Sequence, residues 1–335
     1  MGKTHRLIPK RYSFTYGPAE PALVVKSGDQ APPGRGPASP WQCRVIATTR
    51  DAGGGDEKGN PIPAEMKPLA PGTSYFEGNP LTGPVVVEGA KPGDALAVRI
   101  RKIALTRDTA YSAHSGLCGA FRSGAPGADF QIAPPPPELK FLWQLDRTRM
   151  TGTLRLAKSR AKSVTLPLHP FLGCIGAAPR YGRVECSITP GEYGGNMDCI
   201  ETREGTTIFL PVFVEGGYLY FGDVHAAQGD GEICGVALEV SAEVTLDVAL
   251  VKGWGIDWPR LEDRTHLMTA CSAKPLMDAF ALAQREMLRW LVNDYGFDEN
   301  EGYQALSQAG TSRIGNVVDP KFTVVAKFPK KLLPA

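Results

Sequence analysis

Alternating apolar and polar positions dominate the middle of the chain. Leu96, Val98 and Ile100 interleave with Ala97, Arg99 and Arg101, which predicts a strand with one buried and one wet face. Before it come the β-branched run Val85-Val86-Val87-Glu88 and the turn Gly89-Ala90-Lys91-Pro92-Gly93-Asp94. Residues 207–214 are nearly continuous in apolar side chains, and Gly216-Gly217 then predicts a hairpin returning through residues 218–221. Between residues 234 and 251, Val236, Leu238, Val240, Val244, Leu246, Val248 and Leu250 recur two apart, the period of a core-facing strand. The period changes only late in the chain. Leu276, Met277, Phe280, Ala283, Met287, Leu288 and Leu291 fall near helical spacing over residues 275–295, with Gly296 placed to end the helix. Asp298 with Glu301 three residues on predicts a second helix start, and residues 323–328 a returning strand.

These elements predict a mainly β protein. A β-sandwich or jelly-roll-like body is expected over residues 1–250, and a smaller α/β part with two helices over residues 251–335. Residues 28–80 are rich in Gly, Pro and Asp, with turn or loop signals at Pro32-Pro33-Gly34 and Gly53-Gly54-Gly55-Asp56, and the four prolines at 134–137 read as a rigid spacer.

Composition supports many turns between short strands. Of 335 residues, 38 are Gly and 29 Pro, one in five together, against about one in eight on average. Hydrophobic residues at 42% and charged residues at 21% suit a globular chain. With 37 basic and 35 acidic residues the net charge is +2, so no strong field favours nucleic acid or an anionic membrane. The longest apolar runs fall far short of the ~20 residues that span a bilayer. The seven cysteines are odd in number, irregularly spaced and without a Cys-x-x-Cys pair. Free thiols in a reducing compartment are the expectation. The basic opening Met1-Gly2-Lys3-Thr4-His5-Arg6 leads into no apolar stretch, so the expected location is the cytoplasm.

The densest polar constellation lies between residues 194 and 232. Gly194-Gly195-Asn196-Met197-Asp198 opens it, and Gly222-Asp223-Val224-His225-Ala226-Ala227-Gln228-Gly229-Asp230-Gly231-Glu232 closes it. Asp223 and His225 are two apart, so an extended segment points both to one side. A carboxylate and an imidazole there suit a borderline cation such as zinc, and the predicted hairpin would bring Asp198 in as a third ligand. Glu232 is then the candidate general acid/base, and Asn196 and Gln228 are candidates to bond substrate or orient a ligand. Two other readings compete. Gly-Asp pairs also make tight turns, and oxygen donors from Asp198, Asp223, Asp230 and Glu232 would suit calcium in a non-catalytic binding module. Nucleophile motifs are missing: there is no Gly-x-Ser-x-Gly elbow, and Ser112 beside His114 is adjacency rather than a triad.

Four segments together resemble the acetamidase/formamidase family. They are residues 81–94, His169-Pro170-Phe171-Leu172-Gly173-Cys174-Ile175-Gly176-Ala177-Ala178-Pro179, the Gly194-Gly195-Asn196-Met197-Asp198 stretch, and residues 210–217 continuing through 222–232. The resemblance implies a β-sandwich with a smaller α/β part, and hydrolysis of short amides such as formamide and acetamide to ammonia and a carboxylate. It also implies a bound divalent metal and a homo-oligomer. Spacing and resemblance together give the expected site: metal ligation by Asp198, Asp223 and His225, catalysis by Glu232 and Asn196, and substrate contacts from Gln228 and His114. Residues 111–122, which carry His114 and Cys118, depart from the family pattern, which bears on the choice of amide.

Overall fold

The computed structural model describes residues 3–26, 41, 43–67, 78–114, 119–121 and 137–334. Most of these residues belong to a β structure in layers. A nine-stranded sheet runs in the order Lys3–Leu7, Cys43–Thr48, Ala242–Val251, Ala95–Leu105, Thr207–Pro211, Arg260–Glu262, His266–Ala273, Phe322–Pro329, Thr311–Ile314. A five-stranded sheet runs Gly194–Asn196, Phe171–Gly176, Leu219–His225, Leu81–Glu88, Leu23–Lys26. A four-stranded sheet of Ser163–Pro167, Thr151–Arg155, Leu139–Asp146 and Thr109–His114 adjoins it. Bridges from the backbone of Glu239 to both Tyr111 and His225 join these two smaller sheets.

Burial follows the period-2 pattern. Val98, Ile100, Val244, Leu246 and Val248 pack with Leu172, Ile175, Val85, Val87, Leu219 and Phe221 in one core between the sheets. The opposite face of the large sheet is also covered. Ala95, Ala97, Ala249 and Val251 meet Ala279, Ala283, Met287, Trp290 and Leu291 of helix α1, Leu276–Tyr295. The expected wet face at Ala97 is therefore dry, because small side chains there admit the helix layer. Gly296 ends α1 in the left-handed conformation, φ 72°, as its position predicts. Asp298 caps helix α2, Glu299–Ala309, by accepting from the backbone N–H of Asn300 and Glu301.

One pairing expectation changes. Thr207–Pro211 and Leu219–His225 do not form a hairpin. The first pairs with Ala95–Leu105 and Arg260–Glu262 in the large sheet, and the second with Phe171–Gly176 and Leu81–Glu88 in the five-stranded sheet. Gly216 and Gly217, at φ 87° and 70°, carry the chain from one layer to the other. A side chain at 217 would also strike Leu96 at 2.9 Å. The nine-stranded sheet draws strands from both sides of residue 250, since Thr207–Pro211 pairs directly with Arg260–Glu262.

Candidate active site

The antiparallel pair Phe171–Gly176 and Leu219–His225 forms the floor of the site. Its register sets Leu172 opposite Val224 and Cys174 opposite Gly222, so Gly173 falls opposite Asp223. Gly194–Asn196 pairs on the far side of Phe171–Gly176, and the backbone N–H of Asp198 donates to the Gly173 carbonyl at 3.2 Å. This pairing brings Asp198 to Asp223 and His225, in place of the hairpin that the spacing suggested. A Cβ at Gly173 would lie 2.8 Å from Asp223 Oδ2, 2.8 Å from His225 Cε1 and 2.9 Å from Asp198 Oδ1. The missing side chain is what lets the three converge. Asp198, Asp223 and Glu232 all have positive φ (49°, 53° and 49°) and make up half of the six non-glycine residues so placed among the described residues. Such backbone costs about 1–3 kcal/mol per residue and persists where surrounding structure enforces it.

Donor atoms of Asp198, Asp223 and His225 lie within 4.8 Å of one another. So do those of His225, Glu232 and Glu239, and those of Asp198, Glu232 and Asp319. His225 Nε2 is 3.4 Å from Asp223 Oδ1 and 3.3 Å from Glu239 Oε1. Asp198 Oδ1, Asp223 Oδ1 and Glu239 Oε2 are buried without a hydrogen-bond partner. Asn79 Nδ2 donates to Asp223 Oδ2 at 2.7 Å and to Asn196 Oδ1 at 3.1 Å. Asn196 Nδ2 donates to Asp198 Oδ2 at 3.1 Å and Asp319 Oδ2 at 2.9 Å.

Five buried carboxyls around one imidazole require positive charge. Burial pushes Asp198 well above the usual carboxylate range, and Glu232 and Asp319 push it further. Burial also raises Glu239, against the opposing pull of His225. Glu232 is pushed up to about 8 by burial, again against His225 and with Asp319 adding to the rise. Asp319 is raised by burial to about 7, against hydrogen bonds from Asp198 and Asn196. Burial alone would lower His225, but the Glu239 and Asp223 carboxylates outweigh it and hold the ring well above its usual value. Either protons or a divalent cation can supply the balancing charge. The orphaned oxygens, the space at Gly173 and the mixed nitrogen and oxygen donors all fit a cation.

Of the residues singled out in the sequence, Asp198, Asp223, His225, Glu232 and Asn196 come together here. Gln228 stands behind His225, with its amide occupied by protein partners: Oε1 is 2.9 Å from His225 Nδ1, and Nε2 donates to the carbonyls of Asp198 and Gly315. His114 ends the strand Thr109–His114, where its ring packs at a tilt against Phe141 and its Nδ1 is 3.2 Å from the Pro137 carbonyl. Asp230 pairs outward with Arg313. Cys174 is fully buried and its thiol is pushed well up, first by burial and then by Asp223 and Asp198. The six described cysteines are free thiols; Cys118 lies outside the described residues.

Sequence reasoning missed Glu239, Asp319 and Asn79. Glu239 did carry a signal, as a lone carboxylate between Leu238 and Val240 in an apolar run. Asp319 and Asn79 carried none, since each arrives from a loop distant in the chain.

The fold and the cluster define a layered β protein with a buried carboxylate–imidazole centre. The model of the Acetamidase/Formamidase family matches residues 72–185 and 182–333, and the chain belongs to that family. It is 31% identical over 222 residues to an acetamidase of Mycolicibacterium smegmatis, covering 52% of this chain and 53% of that one. It is 27% identical over 219 residues to a formamidase of Methylophilus methylotrophus, covering 51% of each. The chain thus spans about half the length of the curated relatives it matches. A crystal structure of an acetamidase from Yersinia enterocolitica superposes with a TM-score of 0.80 at 34% identity, covering 99% of this chain and 93% of that one. No helix among the described residues is long and apolar enough to cross a membrane.

Proposed function

We propose that the protein is a metal-dependent amidohydrolase that cleaves short aliphatic amides, formamide or acetamide, to ammonia and a carboxylate. The observation that carries this is the convergence of Asp198, Asp223 and His225 donors around the space left by Gly173, with two of the three side chains offering an unpartnered buried oxygen. Family membership and the names of the relatives support the substrate class. The imidazole nitrogen among the carboxylates favours zinc over calcium, which prefers an all-oxygen shell.

Hydrolysis removes a proton from water and delivers one to the departing nitrogen. A cation held by Asp198, Asp223 and His225 would supply the positive charge that polarises the amide carbonyl and eases deprotonation of water. Glu232, whose carboxylate lies within reach of the same donor atoms, serves as the proton shuttle. Asn196 holds Asp198 and Asp319 in place through its two N–H donors, and Asn79 does the same for Asp223. The cytoplasmic, homo-oligomeric state is part of the proposal; the free described cysteines support the compartment, and the family resemblance the assembly.

The test is ammonia release from formamide and acetamide, with metal content measured on the same samples. Glu232→Gln keeps the shape but cannot shuttle a proton, so bound metal should persist while turnover falls about 10²–10⁴-fold. Full turnover in metal-free protein would overturn the reading.

A further inference from the structure

We infer that Gln228 is a positioning residue: it fixes which nitrogen of His225 carries the proton, and so which nitrogen faces the site. The chemistry of its neighbours fixes the orientation of the amide. One end lies 2.9 Å from the Asp198 carbonyl and 2.9 Å from the Gly315 carbonyl. Both of those atoms only accept, so this end is the NH₂ group. The other end is then the carbonyl oxygen, which also only accepts, and it stands 2.9 Å from His225 Nδ1. Nδ1 must therefore carry hydrogen. A neutral imidazole has one N–H, which leaves the lone pair on Nε2. Nε2 is the nitrogen turned to Asp223 Oδ1 and Glu239 Oε1, at 3.4 and 3.3 Å. The opposite tautomer would set the Nδ1 lone pair against the Gln228 oxygen.

The anchoring is rigid. Gln228 ties together the Asp198 segment, the end of Leu219–His225 and the loop at Gly315. Gly315 packs so closely that a Cβ there would lie 2.4 Å from the Met197 carbonyl. An amide also suits the task better than a carboxylate would, because it orients the ring without adding negative charge to five buried acids. The consequence for a cation rests on the proposed function: its imidazole ligand is Nε2, and loss of the partner on Nδ1 should weaken binding.

The test is nitrogen NMR on protein labelled with ¹⁵N at its five histidines, with His225→Gln used to assign the signal. In metal-free protein His225 Nδ1 should carry hydrogen, Nε2 being the nitrogen left bare whenever the ring is neutral. In protein loaded with ¹¹³Cd the metal should couple to Nε2. A bare Nδ1, or coupling to Nδ1, would overturn the inference. Gln228→Leu should admit the other tautomer and weaken cadmium binding about 10–100-fold. Gln228→Glu keeps an acceptor for Nδ1 and should keep the tautomer. If Gln228→Leu lowers only the melting temperature and leaves the protonated nitrogen unchanged, the role is merely structural and the inference fails. If no cadmium binds, the proposed metal site fails, while the metal-free spectrum still decides the tautomer; it decides equally if Gln228→Leu does not fold.

Discussion

A methyl group at position 173 would come within 2.8–2.9 Å of atoms of Asp223, His225 and Asp198. Real Cβ atoms do not sit that close to their neighbours, so something must shift. Gly173 has no left-handed φ to maintain, and its strand pairs on both sides, so the backbone accepts alanine. If the proposed function holds, Gly173→Ala is therefore expected to fold and yet lose bound metal and turnover together. Circular dichroism, metal analysis and an ammonia assay on one preparation check it. Normal metal content would show that the space at Gly173 is not what the ligands need. At this scale Asp223 and His225 were legible, because two-residue spacing on a strand puts side chains on one face. Asp319 was not, because no local pattern marks a side chain delivered by a loop.

The helical layer shows how far an element can be read locally. Capping chemistry depends on neighbours within a few residues, so both the Gly296 stop and the Asp298 start were visible in the sequence. Asp298 Oδ1 accepts from Asn300 N at 2.9 Å and Glu301 N at 3.1 Å, on the surface. Asp298→Ala should cost about 1 kcal/mol of stability through the lost cap, with turnover per folded molecule unchanged. Urea denaturation read beside the amidase assay tests both halves. The Gly216-Gly217 turn shows the opposite case. Two glycines between apolar runs give the same local signal whether the chain folds back within a sheet or crosses between layers. Here Thr207–Pro211 is captured by Ala95–Leu105 across five paired residues, which commits the two runs to different sheets.

The charge of the buried cluster should be felt by the whole molecule. Glu232 is raised from 4.5 to about 8 and Asp319 from 3.8 to about 7, with burial the leading cause in each. Asp198, Glu239 and His225 are raised as well. A group with a raised folded pKa binds its proton more tightly when folded. Its contribution is full below the unfolded pKa and is lost as pH rises through the folded pKa. Chelator-treated protein should therefore melt at progressively lower temperature as pH rises from about 4.5 to about 8. A saturating divalent cation, replacing the protons with fixed charge, should flatten that slope at the upper end. Melting curves across this range, with and without cation, measure it. A melting temperature that rises with pH in the chelated protein would contradict the charge assignment.

The sequence by itself determined the mainly β character, the two helices with their caps, and the stretch of chain in which Asp198, Asp223, His225 and Glu232 lie. Each of these follows from interactions that span a few residues: side-chain periodicity, capping, and alternation on one strand face. Only the tertiary structure decided that Gly194–Asn196 reaches the site by pairing with Phe171–Gly176, and that Glu239, Asp319 and Asn79 join it. It also decided that Gln228 faces His225 rather than open space. Those outcomes depend on which strands pair and in what register. Alternation along a strand sets which face is buried, but the partner strand is chosen by packing between segments far apart in the chain.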